Sequence, residues 1–553
     1  MRRIVIMAVL ATSAFFLKAQ TPAEQEQILR MLGAMNLEEA DGQDVETLMD
    51  LLRHPVKINY DDRRKLQSSG LFTEFQIASL EDYRSRHGYV LSLTELSSVD
   101  GFTKQLVQRL SPFISLEGSI RASDAGRRKL DGEINARAAV KISEDKQTAF
   151  TPALRARLEY GDALGLTVAK SSSTYSAGFA WAHRRGSILI GDFNARFAQG
   201  LCMWNTVTFN NLSTPSSFMR RPSGISQSYS FTGNYAMSGV AADLTAGKWK
   251  ISCLVNLPNI KKIRSAPFVL APGVNITRYF RFGHIGLTHL NSVSDPFSKD
   301  FRLPEMKTSA DFSLCIKGVN LFGETMYDWV ASTVDCIAGT ETTLWEKFTV
   351  AWLVRRLSKK EHGVALSGEV KHGSHHLVFS SDFLYRPDKD KLPEGHPFQV
   401  KGQLKWRYDI VKNLYMEIRL AERYRTWGLP FRTDVRVDVH ADIGSWAVSA
   451  RFNALKCDGT GLLGYAEGSY SWNSRSKVYL RAGLFRIDDW DDRIYVYERD
   501  APGSFNVPAY YGRGGWVAAY TTWRFAQWGS ICFRGAYKKP GKAELKLQLT
   551  LHL

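Results

Sequence analysis

The chain has 553 residues, of which 44% are hydrophobic and 23% charged, the composition of a folded protein with room for two to four domains. This composition excludes disorder, collagen and a coiled coil as the main state, and a mean hydropathy of −0.23 excludes a bundle of membrane-spanning helices. The formal net charge of +17 favours an anionic partner such as nucleic acid or a membrane surface. Aromatic residues at 12% and 43 glycines favour strands and turns over helices.

The N-terminal segment has the pattern of a secretory signal peptide. Arg2 and Arg3 precede a mostly apolar stretch over residues 4–17, and Ala19 supplies a small residue before a cleavage site. The stretch is too short for a stable transmembrane helix, and no cysteine precedes Cys202, so a lipid anchor is not expected. We therefore expect residues 1–19 to direct export.

The hydrophobic period changes near residue 118. Residues 20–53 and 54–117 have apolar positions at helical spacing and predict a helical segment followed by a small all-α domain. Over residues 118–553 apolar and polar residues alternate in runs of about ten, a pattern typical of transmembrane strands. A soluble β-sandwich also alternates, but long strands with aromatic ends favour a barrel. We predict a mainly β protein, an antiparallel outer-membrane β-barrel of about 14 to 18 strands.

Charged residues on one face of these strands are expected to line the lumen, because successive side chains of a strand point to opposite faces. Residues 399–408 and 434–443 illustrate the pattern, with apolar side chains on one face and charged or polar ones on the other. The candidate lumen-facing residues are Lys401, Lys405, Arg407, Glu417, Arg419, Asp434, Arg436, Asp438 and His440.

Two further segments refine the prediction of a barrel. The last residues alternate from Glu544 to Leu553, and a terminal amphipathic strand resembles the signal that the barrel-assembly machinery recognises in outer-membrane barrels. This resemblance implies an outer-membrane location among lipid and lipopolysaccharide, with the N-terminal domain in the periplasm. Residues 194–230 lack sustained alternation, and we interpret them as a long extracellular or inward-folded loop that constricts or plugs the lumen.

The sequence contains no recognisable catalytic, metal or cofactor motif. Its six cysteines form no CxxC pair, and buried or lipid-facing thiols are favoured over the disulfides that an exported chain permits. His372, His375 and His376 have the surroundings of a polar loop, and the carboxylates of residues 488–498 lack the spacing of a calcium-binding loop. We predict a protein that is not an enzyme and holds no cofactor or metal.

Residues 54–117 resemble the tandem helix-hairpin-helix module of competence-type DNA receptors, which implies a fold of two helical hairpins with possible phosphate contacts at Gly70, Gly101 and Lys104. The second glycine of the DNA-binding hairpin is replaced by Phe72 and by Thr103. Residues 20–117 also carry ten basic and sixteen acidic residues, a net charge of −6, whereas residues 118–553 carry +20. The elements that match the module are Ile58, Asn59, Leu66, Gly70, Ile77, Ala78, Tyr83, Arg84, Gly88, Leu96, Val99, Gly101 and Leu106.

The whole architecture resembles a group of outer-membrane proteins from Bacteroidetes, with further matches at residues 191–204 and 485–515. The resemblance implies location and fold but assigns no chemistry. The first functional hypothesis is passage or binding of a solute, with the helical domain docked at the barrel mouth or on a periplasmic protein. The alternative is DNA uptake, in which the helical domain binds DNA. A lumenal enzyme is the third class.

Overall fold

The computed structural model describes residues 22–116, 130–145, 147–161, 163–172, 174–183, 185–205, 212–229, 231, 236–258, 269–294, 302–345, 347–358, 361–386, 397–473, 476–539 and 541–553. The predicted signal peptide, residues 1–19, lies outside the described residues.

Residues 22–116, which we call the N-terminal module, form short helices around one core. In five of the six helices, an Asp, Ser or Thr immediately before the helix accepts a hydrogen bond from a backbone N–H of the first turn. The core includes the fully buried Ile58, Leu66, Phe72 and Ile77. No helix in the described residues is long and apolar enough to cross a membrane. The helices are α1 Pro22–Leu32, α2 Gly42–Arg53, α3 Arg63–Ser68, α4 Glu74–His87, α5 Leu93–Leu96 and α6 Lys104–Leu110.

Two short parallel strands, β1 Val56–Lys57 and β2 Ile114–Ser115, pair the segment before α3 with the segment after α6. The remaining strands are β3 Leu130–Ile142, β4 Thr148–Tyr160, β5 Leu164–Lys170, β6 Tyr175–His183, β7 Gly186–Arg196, β8 Gly224–Gln227, β9 Met237–Ala246, β10 Trp249–Asn256, β11 Val269–Phe280, β12 Gly283–Ser294, β13 Arg302–Ile316, β14 Val319–Asp328, β15 Thr333–Leu344, β16 Phe348–Leu357, β17 Glu361–His372, β18 His375–Tyr385, β19 Phe398–Val411, β20 Leu414–Arg425, β21 Phe431–Ile443, β22 Trp446–Lys456, β23 Thr460–Asn473, β24 Ser476–Ile487, β25 Ile494–Tyr495, β26 Ala509–Tyr510, β27 Gly512–Ala526, β28 Gly529–Lys538 and β29 Lys542–His552.

The chain forms a closed antiparallel barrel of 24 strands, and the prediction of 14 to 18 strands is wrong. The last strand, β29, pairs with β3 and closes the ring, while β7 pairs with β9 and leaves the short β8 outside the count. The prediction allowed roughly 22 to 30 residues for each strand and its connection. Most strands instead have 10 to 15 residues and many are joined by two-residue turns, so the same length of chain makes more strands.

The two ends of the barrel differ in the length of their connections. Turns of two or three residues, such as 281–282, 412–413 and 444–445, lie at the end where β3 begins and β29 ends, which we call the terminal end. The opposite end carries the long connections 197–236 and 488–511, and we call it the loop end. This asymmetry is the one that bacterial outer-membrane barrels have.

The outer face of the barrel is apolar. Large side chains such as Leu404, Leu420, Phe452 and Leu547 alternate along their strands with polar residues and are more than one third exposed. An apolar surface that continues around the outside of the barrel is not stable in water. It is the lipid-facing band of a transmembrane barrel.

Candidate functional site in the barrel lumen

The N-terminal module lies inside the barrel. It forms ion pairs with Glu159 in β4, Lys250 in β10, Glu341 in β15, Arg407 in β19 and Arg436 in β21. These strands are distributed around the whole closed ring, and a body that contacts all of them through their side chains must lie within the ring. The sequence had instead suggested a module docked at the barrel mouth or on a periplasmic protein.

One buried group of these contacts is centred on Glu38, which lies between α1 and α2. Its carboxylate is 2.6 Å from Arg451 and 3.1 Å from Arg436, and both guanidinium groups also bind Asp438 at 2.7 and 2.5 Å. The backbone N–H of Tyr497 donates to Glu38 at 3.1 Å. Burial raises the pKa of Glu38, but the two arginines outweigh it and hold this pKa well below its usual value.

Two more carboxylates of the module contact the wall beside Glu38. Glu26 in α1 forms an ion pair with Arg407, and Glu39 lies 3.3 Å from Arg419. Burial raises the pKa of Glu26, but Arg30 and Arg407 outweigh it, so this carboxyl is ionised at neutral pH. A row of acidic side chains on the module therefore faces a row of arginines on strands β19 to β22.

The other candidate lumen-facing residues occupy the same part of the wall. Lys405 donates to the backbone carbonyl of Met35 at 3.1 Å and forms an ion pair with Glu417 at 2.9 Å. The remaining contacts are among wall residues: Asp434 accepts from Asn453 at 3.1 Å, His440 lies 3.1 Å from Asp442, and Lys401 is the register partner of Asp382.

At the terminal end, Glu74 joins the hairpin part of the module to the wall. Its carboxylate lies 2.7 Å from Lys250, which is almost fully buried, and 2.8 Å from Arg63. Burial raises the pKa of Glu74, but Lys250 and Arg63 outweigh it and lower this pKa. The hairpin part is thus held near the ends of the strands, because Trp249, the neighbour of Lys250, begins β10.

Further ion pairs between the module and the wall occur around this end of the barrel. Lys65 is 3.2 Å from Glu159, near the end of β4, and Arg109 is 3.6 Å from Glu341, near the end of β15. Arg64 also approaches Glu159, at 3.8 Å. Two adjacent basic residues of α3, Arg64 and Lys65, therefore bind one carboxylate of the barrel.

The candidate phosphate contacts Gly70, Gly101 and Lys104 lie in two turns of the module and at the start of α6. Gly70 and Gly101 have positive φ angles of 64° and 86°, as hairpin glycines require, and Lys104 is exposed at the start of α6. Phe72 is fully buried in the core, and Thr103 caps α6 by accepting from a backbone N–H. Both positions where a DNA-binding hairpin has its second glycine therefore have structural roles.

The helix start that follows the first hairpin is also occupied. The hydroxyl of Thr73 accepts from the N–H of Gln76 at 3.2 Å, and the Gln76 side chain accepts from the N–H of Thr73 at 2.9 Å. The N–H of Glu74 donates to the carbonyl of Pro222 in the connection between β7 and β9. These amides are satisfied within the protein and are not presented to a phosphate.

The described residues of the connection 197–236, which we call inward loop 1, lie in the lumen and are fixed to the wall. The carboxylate of Glu324 in β14 accepts hydrogen bonds from the backbone N–H groups of Gln199, Leu201 and Cys202, at 2.9, 3.0 and 3.2 Å. Residues 194–230, which the sequence suggested as a long loop, thus contain the end of β7 and much of this inward segment.

Inward loop 1 also binds the module. The hydroxyl of Thr214 donates to the carbonyl of Gly33 at 2.8 Å, and the guanidinium of Arg221 donates to the carbonyl of Met31. These carbonyls belong to the last turn of α1 and the residue after it, where no further helical N–H is available to bond them. The loop therefore completes the C-terminal end of α1.

The connection 488–511, which we call inward loop 2, enters the lumen from the loop end. Tyr497, Phe505 and Val507 pack into the core of the N-terminal module. Arg499 binds Glu467 of the wall at 3.1 Å. Module and wall are thus joined through this loop as well as directly.

A cavity of about 660 Å³ lies between the module and a part of the wall that includes β3, β4, β24, β27, β28 and β29. The module side presents Glu46, Asp50 and His54, and the opposite side presents Arg155 and Arg157. Burial raises the pKa of Glu46 to about 7, so this carboxyl changes charge near neutral pH. No sequence motif marks this cavity, because its walls come from segments several hundred residues apart.

One group of residues in this cavity has potential metal ligands, namely Asp50, His54 and Glu133, with one ligand atom from each lying within 4.8 Å of the others. Glu133 also contacts the guanidinium of Arg155 at 3.6 Å and accepts from Asn135. Because a cation already neutralises this carboxylate, we interpret the group as part of a network of ion pairs. The absence of a metal remains a prediction.

The three clustered histidines have separate partners. His376 bonds to Glu369 at 2.8 Å, and His375 stacks on Trp406 and Tyr408. His372 is the register partner of His375 across the turn between β17 and β18. All six cysteines of the chain are free thiols.

No protein-family model matches the chain, and the search of curated proteins finds no match. Among solved structures, the siderophore receptor PirA from Pseudomonas aeruginosa is 7% identical, with a TM-score of 0.43 over 77% of this chain and 81% of the receptor. The copper transporter OprC has 8% identity and a TM-score of 0.43 over the same shares. The translocation pore of the P pilus usher PapC has 8% identity and a TM-score of 0.37 over 77% of this chain and 99% of the pore. These scores are too low to carry a functional assignment.

The geometry of the chain defines its structural class independently of these comparisons. The chain is a transmembrane-type antiparallel β-barrel whose lumen holds its own N-terminal module and two inward loops.

Proposed function

We propose that the protein is an outer-membrane β-barrel that passes or binds a solute and that its own N-terminal module closes the lumen. In bacterial outer-membrane barrels the short turns face the periplasm and the long loops face outward. The terminal end of this barrel has the short turns, so the module enters the lumen from the periplasmic side. The C-terminal strand β29 then serves as the segment that the barrel-assembly machinery recognises.

The pairing of module carboxylates with wall arginines is the observation that carries the proposal. Glu38 satisfies Arg436 and Arg451, which would otherwise share the single carboxylate of Asp438. Removing one partner from a buried ion pair costs about 3 to 5 kcal/mol. A wall that is rich in arginine and a module that is acidic thus stabilise the closed lumen.

A barrel of this size supports the same interpretation. Barrels of 16 to 18 strands leave an open aqueous channel, whereas barrels of about 22 strands are wide enough to require a plug. The 24 strands here enclose a lumen in which a module of 95 residues, 22–116, fits together with two loops. The cavity beside Glu46, Arg155 and Arg157 is the part of the lumen that is left for a solute.

Among the described residues, no contact favours the DNA-uptake alternative. Arg63, Lys65 and Arg109 bind carboxylates, and affinity for nucleic acid comes mainly from cations that are free to neutralise phosphates. Nor does the lumen present an arrangement that we would propose as catalytic. The proposal is therefore binding and passage without chemistry.

Conductance across a planar bilayer tests the proposal. We expect little conductance from the wild type, and markedly higher conductance from the double variant Glu26→Ala, Glu38→Ala, which loses two contacts between module and wall. The control is Asp82→Ala, Asp100→Ala, two exposed carboxylates of the module, which should conduct as the wild type does. A wild type that already conducts like an open pore would contradict closure by the module.

A further inference from the structure

An apolar groove of about 750 Å³ lies on the outer face of the barrel, over strands β23, β24, β27 and β28. It is shallow because small residues face outward here: a Cβ atom added to Gly464 would meet nothing nearer than 3.6 Å. Larger side chains stand beside it, and Leu484 is 74% exposed. The outward residues that form the groove are Gly464, Ala466, Ala482, Leu484, Gly515, Val517 and Tyr537.

The strand register aligns these residues in two rows across the sheet. Gly464 pairs with Leu484, which pairs with Gly515, and Ala466 pairs with Ala482, which pairs with Val517. In both rows, glycine or alanine residues lie beside a larger residue, Leu484 or Val517. The small residues form the floor of the groove, and the larger apolar side chains form its walls. Its apolar lining fits a hydrocarbon chain.

Three cations lie at one end of the groove on the same outward face. Arg486 is two residues beyond Leu484, and Arg513 is two residues before Gly515, so both lie about 7 Å further along the strands. Lys539 lines the groove, and its N–H bonds to the carbonyl of Gly515 at 2.9 Å. All three residues are exposed.

Arg486 and Arg513 are direct register partners, and like charges that face each other across a strand pair repel. Within the part of the chain that the structure describes, no carboxylate forms an ion pair with Arg486, Arg513 or Lys539. A bound anion would remove this repulsion, and a phosphate matches guanidinium groups well because it accepts charge-assisted hydrogen bonds from both.

The cations lie at the loop end of the barrel, since Arg486 is next to the last residue of β24 and Lys539 follows β28. The position of the loop end at the outer surface of the cell rests on the proposed function. The outer leaflet there contains phosphorylated, multiply acylated glycolipid. A phosphate group would then lie at the height of the cations, with acyl chains running along the apolar face.

We propose that the groove and its three cations form a binding site for a phosphorylated, acylated glycolipid of the lipid A class. One acyl chain lies over Gly464, Ala466 and Ala482, and one phosphate lies between Arg486, Arg513 and Lys539. The two parts of the site require a ligand in which an acyl chain and a phosphate are joined.

Native mass spectrometry of the detergent-purified full chain tests the site, with diphosphoryl hexa-acyl lipid A as the probe. The wild type should retain one lipid, and Arg486→Gln, Arg513→Gln should bind it at least tenfold more weakly. Ala482→Leu, which fills the groove and keeps the cations, should also weaken binding. Arg356→Gln is the matched control, an exposed outward arginine near the loop end of β16, and it should bind as the wild type does.

Two further probes separate the contributions of chain and phosphate. Dephosphorylated lipid A and phosphatidylglycerol should each be retained more weakly than diphosphoryl lipid A. Equal retention of phosphatidylglycerol, or unchanged binding in the Arg486→Gln, Arg513→Gln variant, would overturn the proposal and indicate unspecific lipid contact. Retention of lipid does not depend on conductance, so this proposal can fail while closure of the lumen holds.

The orientation on which the site depends has its own test. A cysteine at Asp145, exposed in the turn between β3 and β4 at the loop end, should react with a membrane-impermeant maleimide in intact cells. The wild-type chain is the control for labelling of the native thiols. Labelling only after the cells are opened would overturn both the orientation and the lipid A site, whatever the conductance.

Discussion

Glu38 and Arg451 form an ion pair of 2.6 Å between residues that are 413 positions apart in the chain. The pair balances a group of four charges in which two arginines face two carboxylates, Glu38 from the module and Asp438 from the wall. Without the module, the wall therefore has two arginines and one carboxylate at this point, an excess of one positive charge. Seating of the module supplies the missing negative charge.

Substitution of Glu38 by Gln should loosen the module without changing the volume of the side chain. The change leaves two buried guanidinium groups with one carboxylate, and we expect a loss of about 3 kcal/mol in the free energy of unfolding. Calorimetry of the detergent-solubilised protein measures this loss as a lower unfolding temperature. Glu95→Gln is the control, because Glu95 bonds to Tyr83 and Leu91 within the module. Equal effects of the two substitutions would contradict a special role for the contact between module and wall.

Stability of the seated module should decrease as pH rises toward neutrality because of Glu46. Burial raises the pKa of Glu46 to about 7, whereas the unfolded chain titrates near 4.5, so the folded state holds an extra proton between these values. The stabilising effect of that proton is full below about pH 4.5 and is lost as pH rises through about 7. Its size is at most about 3 kcal/mol.

Glu46→Gln should remove this dependence, since an amide stays neutral. We expect the variant to unfold at a higher temperature than the wild type at pH 8 and at a similar temperature at pH 4.5. Thermal unfolding of both proteins at several pH values measures the difference. A wild type and variant with parallel pH profiles would show that Glu46 titrates normally.

The barrel could be predicted from the sequence because alternation is a local property. Inward positions such as Arg407, Arg419 and Arg436 follow from the period of two, and the structure brings all three to carboxylates of the module. The number of strands could not be predicted, because it depends on where the chain turns. Many connections, such as 281–282, have only two residues, so each strand with its connection takes less of the chain than the prediction allowed.

The position of the module could not be predicted from any motif, since its partners lie hundreds of residues away. One signal was present: residues 20–117 carry a net charge of −6 and residues 118–553 a net charge of +20. A net negative charge on residues 20–117 disfavours DNA binding, because affinity for nucleic acid comes mainly from cations that neutralise phosphates. The contacts of Glu26, Glu38 and Glu39 give this division of charge a structural role. The acidic residues of the module attract the basic residues of the wall across the lumen.

Gly33→Ala should weaken the contact between the module and inward loop 1. Gly33 has a φ of 70°, and an added Cβ atom would lie 2.6 Å from the backbone nitrogen of Ser217. Gly88 follows α4 with a φ of 86° and has open space around it, so Gly88→Ala incurs only backbone strain of about 1 kcal/mol. We expect Gly33→Ala to cost roughly 1 to 3 kcal/mol more, because the loop must move. Unfolding temperatures of the two variants measure the difference, and equal values would place the loop away from Gly33.

Inward loop 2 should depend on Tyr497, which is 6% exposed and packs into the core of the module. Tyr497→Ala removes a buried aromatic ring, and we expect a loss of about 3 kcal/mol in the free energy of unfolding together with increased conductance. Tyr497→Phe should keep most of the stability, since the hydroxyl contacts only the sulfur of Met49, at 3.9 Å.

The control for this prediction is Tyr495→Ala in the same loop, because Tyr495 is 43% exposed and lies outside the module core. It should change neither conductance nor unfolding temperature by much. If Tyr497→Ala lowers stability but leaves conductance at the wild-type level, inward loop 2 supports the fold without holding the lumen closed. Closure would then depend on the direct contacts between module and wall, such as the ion pairs of Glu26, Glu38 and Glu74.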